Sequence, residues 1–235
     1  LLIALFIVLG KRFGANTPAE KRLRFFMGWA AVAVQSAALL IRPFDGPAGH
    51  PAFDIADDLP LQVCRITGWT AALVMLTMHP LARSINLFWG LGLGSMAFVT
   101  PVVKDGLLGW EYWIFWIAHV QIAGASLYDL AVHDYSPRFR DYRNVALAAL
   151  AYAAFIIPFN HVFNVDYGFM GPGTRDPSVY GPGTLAGHIG DYPWRILNTV
   201  LAAQAFFLVF YLGSCAVRKT KEALRARVAA EGTPA

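Results

Sequence analysis

Leu59-Pro-Leu-Gln-Val-Cys-Arg-Ile-Thr-Gly-Trp-Thr-Ala-Ala-Leu-Val-Met-Leu-Thr-Met78 carries a single charge in its twenty residues. A surface helix of a soluble protein shows one apolar stripe and one charged face. Here no charged face exists, and about 20 such residues span the roughly 30 Å of hydrocarbon in a bilayer. The one charge is Arg65, which costs on the order of 3 kcal/mol or more in that medium. It follows Cys64 directly, and a neighbouring cation favours the thiolate of a cysteine. The stretch therefore predicts a membrane helix and marks a place where chemistry is worth its cost.

The same pattern recurs along the chain. Seven apolar segments emerge: Leu1–Gly10, Phe25–Ile41, Leu59–Met78, Leu81–Thr100, Trp110–Val132, Tyr142–Asn164 and Pro193–Val217. The last six run 17 to 25 residues, the length of a transmembrane helix. The first is read as the end of a span whose beginning lies upstream. Composition agrees: 57% of residues are hydrophobic and 14% are charged, against about 25% charged in soluble domains. The expected fold is all-α, a polytopic membrane protein of seven transmembrane helices with the first truncated. Residues 1–217 form the membrane domain and 218–235 a basic cytoplasmic tail, frayed or lying on anionic lipid.

Lysine and arginine set the expected orientation. Fourteen of the nineteen fall in the first, third and fifth connections and the tail, while Arg42, Lys104, Arg175 and Arg195 fall on the other side. The positive-inside rule puts the N-terminus out and the C-terminus in. A net charge of +4 spread over such short loops does not suggest nucleic acid.

Orientation assigns depths. Cys64 lies roughly 7 Å and His119 roughly 12 Å from the outer face, by helical rise. Asn160, His161, Asn164 and Asp166 crowd the outer end of the sixth segment. Cys215 lies near the inner end of the seventh, roughly 20 Å or more from Cys64 by the same rise, so no disulfide is expected. The loop Val165–Tyr192 carries Gly171-Pro-Gly-Thr174 and again Gly181-Pro-Gly-Thr184, and a loop this long suits a lid. Gly90, Gly92 and Gly94 read as close-packing positions. Asp129 and His133 are expected to be solvated at the inner interface, and Trp110, Trp113 and Trp116 to form an interfacial belt.

Plain alternatives exist for each site residue. A lone membrane cysteine also serves as a small buried hydrophobe. A lone histidine in an apolar helix also serves as a hydrogen-bonded packing residue. Asn160 and Asn164 also suit a helix cap. Together, however, a thiol, an imidazole, an arginine and an amide can make a thiolate, accept its proton and stabilise an oxyanion.

The order of several short stretches resembles a known family. Leu59-Pro-Leu-Gln-Val-Cys64 is similar to a Leu-Pro-Leu-His-hydrophobic-Cys signature. Phe88-Trp-Gly90 with Thr100-Pro101, the helix-borne His119, Asn160…Asn164-Val-Asp-Tyr167 and Gly190-Asp-Tyr-Pro-Trp194 follow in order. They resemble the YwaF-like family of integral membrane proteins, which includes the eukaryotic transmembrane protein 164 acyltransferase. Gln62 stands where that pattern has a His, and Asp166 where it has an Asn.

The resemblance implies a lipid acyltransferase with Cys64 as nucleophile and His119 as base. Arg65, Asn160, Asn164 and Asp166 would serve the oxyanion or the lipid head group, with Gln62, Tyr167 and His161 in support. The implied partners are membrane phospholipids and a lysophospholipid acceptor, with no cofactor and no metal. The expected location is the bacterial cytoplasmic membrane, with the site facing the outer leaflet. Two other functions fit the same residues. His119, His161, His188 and Asp166 share the outer side and could serve a metal-dependent hydrolase. Seven helices also suit a non-enzymatic receptor or transporter. A retinal protein is excluded, because the seventh segment has no lysine.

Overall fold

A computed structural model describes residues 1–41, 53–101, 103, 106–172 and 184–231. Described secondary structure is entirely helical. α1 is Leu2–Phe13, α2 Pro18–Ile41, α3 Val63–Thr77, α4 Pro80–Ile85, α5 Trp110–Val132, α6 Phe139–Phe163, α7 Leu185–His188 and α8 Trp194–Glu231. Each apolar segment read from the sequence lies on one of these helices except the fourth, which is composite. Four helices, α2, α5, α6 and α8, are long and apolar enough to cross a membrane. The chain is an integral membrane protein. Its outer surface agrees, since Leu197, Leu201, Val209 and Leu212 of α8 are exposed, a continuous apolar patch that water would not tolerate.

Local chemistry explains where the helices begin and end. Thr17-Pro-Ala-Glu20 opens α2: the Thr17 hydroxyl accepts the Glu20 N–H at 3.2 Å and Pro18 takes the first helical position. Asp141 accepts the Arg138 N–H at 2.8 Å at the start of α6. α3 ends on Met78 in the left-handed conformation, followed by His79-Pro80, which cannot extend it. Asn164 closes α6 in the same conformation, which asparagine tolerates better than most residues.

Three segments differ from expectation. α3 starts at Val63, not Leu59, because the Leu61 carbonyl accepts the Tyr152 hydroxyl at 2.8 Å and Gln62 is extended. The fourth segment is not one α-helix. After α4 it widens to a π-helix over Asn86–Gly92 and tightens to a 3₁₀-helix over Leu93–Phe98. The buried Asn86 amide donates to Ser126 Oγ at 2.7 Å and to the Ile122 carbonyl, which competes with regular helical spacing. The described part of the tail, residues 218–231, continues α8 as helix. α8 runs unbroken through residue 217, and Lys221 and Arg225 both pair with Asp134 in the α5–α6 connection. Those two bonds hold the Asp134 carboxyl below the ordinary aspartate range.

The bundle packs closely where side chains are small. α2 and α3 run antiparallel, with Gly28 against Leu76 and Gly68 against Gln35. A Cβ on Gly68 would overlap the Gln35 amide, so glycine lets Gln35 keep its place at that crossing. Gly90 and Gly92 do pack closely, against Ile122 and Phe206. Buried Ala71, Val74, Met75, Ile122 and Tyr128 form the core between α3 and α5. Phe88, Trp89, Val145 and Phe207 join the fourth segment to α6 and α8.

Asp129 and His133 are not solvated. Asp129 is 2% exposed and takes both Arg83 Nε and Nη2 at 2.8 Å. His133 Nε2 lies 3.1 Å from the buried Glu20 carboxylate. Each is shielded from water because a polar partner distant in sequence, Arg83 for Asp129 and Glu20 for His133, reaches it. The three tryptophans of α5 have different surroundings. Trp113 is exposed, but Trp116 packs edge-on to Phe115 and Trp110 lines a cleft.

Candidate active site

The first turns of α3 and α5 open on the same end of the bundle, with α2 beside them. Between them lies a cleft of about 190 Å³. Cys64 and Arg65, from the first turn of α3, line it together with His119 of α5. Cys64 is half-buried and occupies the second position of α3, where the helix dipole favours a thiolate. Neither Cys64 nor Cys215 is in a disulfide.

His119 is 6% exposed. Its Nδ1 lies 2.7 Å from the Phe115 carbonyl one turn earlier. A carbonyl only accepts, so Nδ1 carries the proton and Nε2 of the neutral ring presents a lone pair. Phe115 and Phe98 pack against the imidazole and fix its plane. The arrangement leaves a nitrogen base in a cleft that also holds a thiol.

The cleft is shaped by residues the motifs did not single out. Gln35, Asp57 and Glu111 line it, and so does Trp110. Gln35 carried a signal in the sequence, being a polar residue well inside the apolar run Phe25–Ile41. Asp57 carried none beyond lying in an acidic loop.

Asn160, Asn164, Asp166, Tyr167 and Gln62 form a second cluster and are not among the described residues lining the cleft. The fully buried Asn160 amide donates to the Tyr167 carbonyl at 2.8 Å and accepts the Tyr167 N–H at 2.9 Å. The Tyr167 hydroxyl donates to the Ile55 carbonyl at 2.7 Å, and Gln62 Oε1 accepts the Gly168 N–H at 3.1 Å. Arg195, buried at the start of α8, donates to the Gly171 carbonyl at 2.8 Å, and Asp166 accepts the Gly171 N–H at 2.7 Å. A Cβ on Gly171 would collide with the Val165 carbonyl, so only glycine lets the chain pass there. The cluster is a clasp. It ties the end of α6 and the start of α8 to residues 55–62, the segment that delivers Cys64.

Asn160→Ala is expected to destabilise the protein by about 3 kcal/mol, because it strands a buried N–H and a buried carbonyl of Tyr167. Thermal denaturation in detergent measures this. If Asn160 instead stabilised an oxyanion, the variant would melt normally and lose only chemistry.

Burial pushes the Asp166 carboxyl up to about 6, against the opposing pull of the Gly171 N–H and the Arg195 guanidinium 3.8 Å away. An unfolded aspartate titrates near pH 3.9. Between roughly pH 4 and 6 the folded chain keeps a proton that the unfolded chain releases, so this contribution to stability falls as pH rises. Asp166→Asn should therefore flatten the decline of melting temperature with pH over that interval.

The histidines do not gather. His161 and His188 are exposed and His119 lies in the cleft. Among the described residues no group of three or more His, Cys, Asp or Glu is placed to hold a metal. Of the lid expected over Val165–Tyr192, residues 165–172 and 184–192 are described, and the first of these form the clasp; most of the two Gly-Pro-Gly-Thr turns lies outside the described residues, as do Arg42, Lys104 and Arg175.

Fold and cleft together define an all-helical integral membrane protein that presents a thiol and an imidazole to one cavity. The sequence matches the model of the TMEM164 family over residues 1–211. The chain belongs to the TMEM164 family. No curated protein and no solved structure matches it.

Proposed function

We propose that this protein is a membrane-embedded lipid acyltransferase working through a Cys64 thioester. The observation that carries the proposal is the pairing in one cleft of Cys64, on a helix N-terminus, with His119, whose Nδ1 is committed to Phe115. His119 Nε2 takes the Cys64 proton. The thiolate attacks the ester carbonyl of a phospholipid, and the carbon–oxygen bond breaks. His119 returns the proton to the departing lysophospholipid oxygen, leaving an acyl thioester on Cys64. An acceptor lysophospholipid hydroxyl then gives its proton to His119 and attacks the thioester. The carbon–sulfur bond breaks, and the thiolate recovers the proton. Arg65, on the same cleft, offers a planar cation to the oxyanion or to a lipid phosphate.

The distribution of lysine and arginine supports an N-terminus outside and a C-terminus inside, with the cleft toward the outer leaflet of a bacterial cytoplasmic membrane. The apolar flanks of α2 and α5 beside the cleft would let a phospholipid approach laterally from that leaflet.

Incubation with a phospholipid of defined chains, followed by intact-mass measurement, should show one added acyl group, mapped to Cys64 by peptide analysis. An unmodified protein, or an adduct elsewhere, would end the proposal.

A further inference from the structure

A second and larger cavity, of about 600 Å³, opens at the other end of the bundle. Cys64 and Pro80 are separated by sixteen residues, and His119 and His133 by fourteen, so roughly 20 Å of helix divides the two openings. It lies where α4 and α6 begin and α5 ends, at the interface level of a membrane protein. Arg83, Arg138, Arg140 and Arg218 line it.

The carboxylates nearby are already engaged. Asp129 is held by Arg83, Asp134 by Lys221 and Arg225, and Asp141 by the Ser84 hydroxyl and the Arg138 N–H. Counting the four arginines with Lys221 and Arg225 against the three aspartates leaves an excess of three positive charges. Nor are the arginine donors exhausted. Arg83 uses two of its five N–H groups on Asp129 and holds its guanidinium over the Tyr135 ring, 4.2 Å from its centre. Arg218 is steadied by the Pro137 carbonyl at 3.2 Å. Two guanidiniums held in place at the mouth of a cavity, with two more beside them, match the oxygens of a phosphate.

We infer that this cavity binds a phosphate group, the chemistry shared by phospholipid head groups and soluble phosphate esters. The surroundings favour an anionic phospholipid. Phe139 and Val217, the chain neighbours of Arg138 and Arg218, are exposed and apolar, which gives acyl chains a surface beside the cations. The inference stands apart from the acyl-transfer proposal, and Cys64→Ala should leave it untouched.

Native mass spectrometry of the full chain, supplied with equal phosphatidylglycerol and phosphatidylcholine, tests it. At least fivefold preferential retention of one phosphatidylglycerol is expected, together with a higher melting temperature. Arg138→Gln with Arg140→Gln should abolish the preference at unchanged melting temperature in phosphatidylcholine. Arg218→Gln should weaken it independently. Lys219→Gln with Arg227→Gln, exposed tail charges that do not line the cavity, should leave it intact. If glycerol phosphate or inorganic phosphate displaces the lipid and raises the melting temperature alone, the site takes soluble phosphate. Equal retention of both lipids with no phosphate response overturns the inference. Loss of preference in the tail variant equal to that in the cavity variant does so too.

Discussion

His119→Gln is expected to slow formation of the Cys64 acyl adduct by roughly 10²–10⁴, the usual worth of a positioned general base. Glutamine can still donate an amide N–H to the Phe115 carbonyl, so the bond that orients residue 119 survives. What disappears is the lone pair at the position of Nε2. The thiol then has no proton acceptor beside it, and the leaving lysophospholipid oxygen has no proton donor. Cys64→Ala should lose the adduct completely. Cys64→Ser separates the two contributions, since a hydroxyl keeps the geometry but is a far weaker acid than a thiol. The measurement is adduct mass against time at fixed phospholipid, with melting temperature recorded for each variant. Wild-type adduct rates in His119→Gln would leave the imidazole as a packing residue and remove it from the mechanism.

Glu20→Ala should be the most destabilising single change in the bundle. Glu20 is 0% exposed. One carboxylate oxygen accepts Arg24 Nε at 2.7 Å, the Tyr128 hydroxyl at 3.0 Å and His133 Nε2 at 3.1 Å. The other accepts the Asn16 N–H at 3.1 Å. Through these bonds one side chain joins the α1–α2 turn to α5 and its C-terminal end. Removing it leaves the guanidinium of Arg24 buried against only the Met75 carbonyl. Breaking one side of a buried ion pair costs about 3–5 kcal/mol, mostly because the surviving charge stays desolvated. At roughly 2–4 °C per kcal/mol for a chain of this size, the melting temperature should fall on the order of 10 °C. Glu20→Gln keeps the shape and some hydrogen bonds and should cost less. A melting temperature unchanged in Glu20→Ala would show that water replaces the carboxylate there.

The two predictions concern opposite ends of the bundle and residues of different legibility. Cys64 and His119 could be singled out from sequence because a thiol beside a cation, and an imidazole, are expensive or rare inside apolar runs. Helical rise then gave them similar depths. Glu20 received no reading from the sequence. Its bond to His133 spans 113 positions of the chain, and no local pattern reports a partner so distant. Asp129 failed for the same reason, since nothing near it in sequence announces Arg83. Asn160 was legible as important but not as what it is. Its amide grips the Tyr167 backbone, a contact made possible only by the left-handed turn at Asn164 and the 3₁₀ turn that follows.

By itself, the sequence determined that the chain is helical, roughly where most of the helices lie, and the medium they occupy. Those properties depend on hydropathy over about 20 residues and on local stop signals such as His79-Pro80, which are written in consecutive positions. Tertiary structure alone decided which faces meet. It set Gln35 over Gly68, widened the fourth segment around Asn86 and brought Cys64, Arg65 and His119 to one cleft. It also gathered four arginines around another. The reason is physical. Helix formation is decided by neighbours in the chain, whereas a charge or amide in a membrane bundle is decided by whichever partner, from any helix, can reach it out of water.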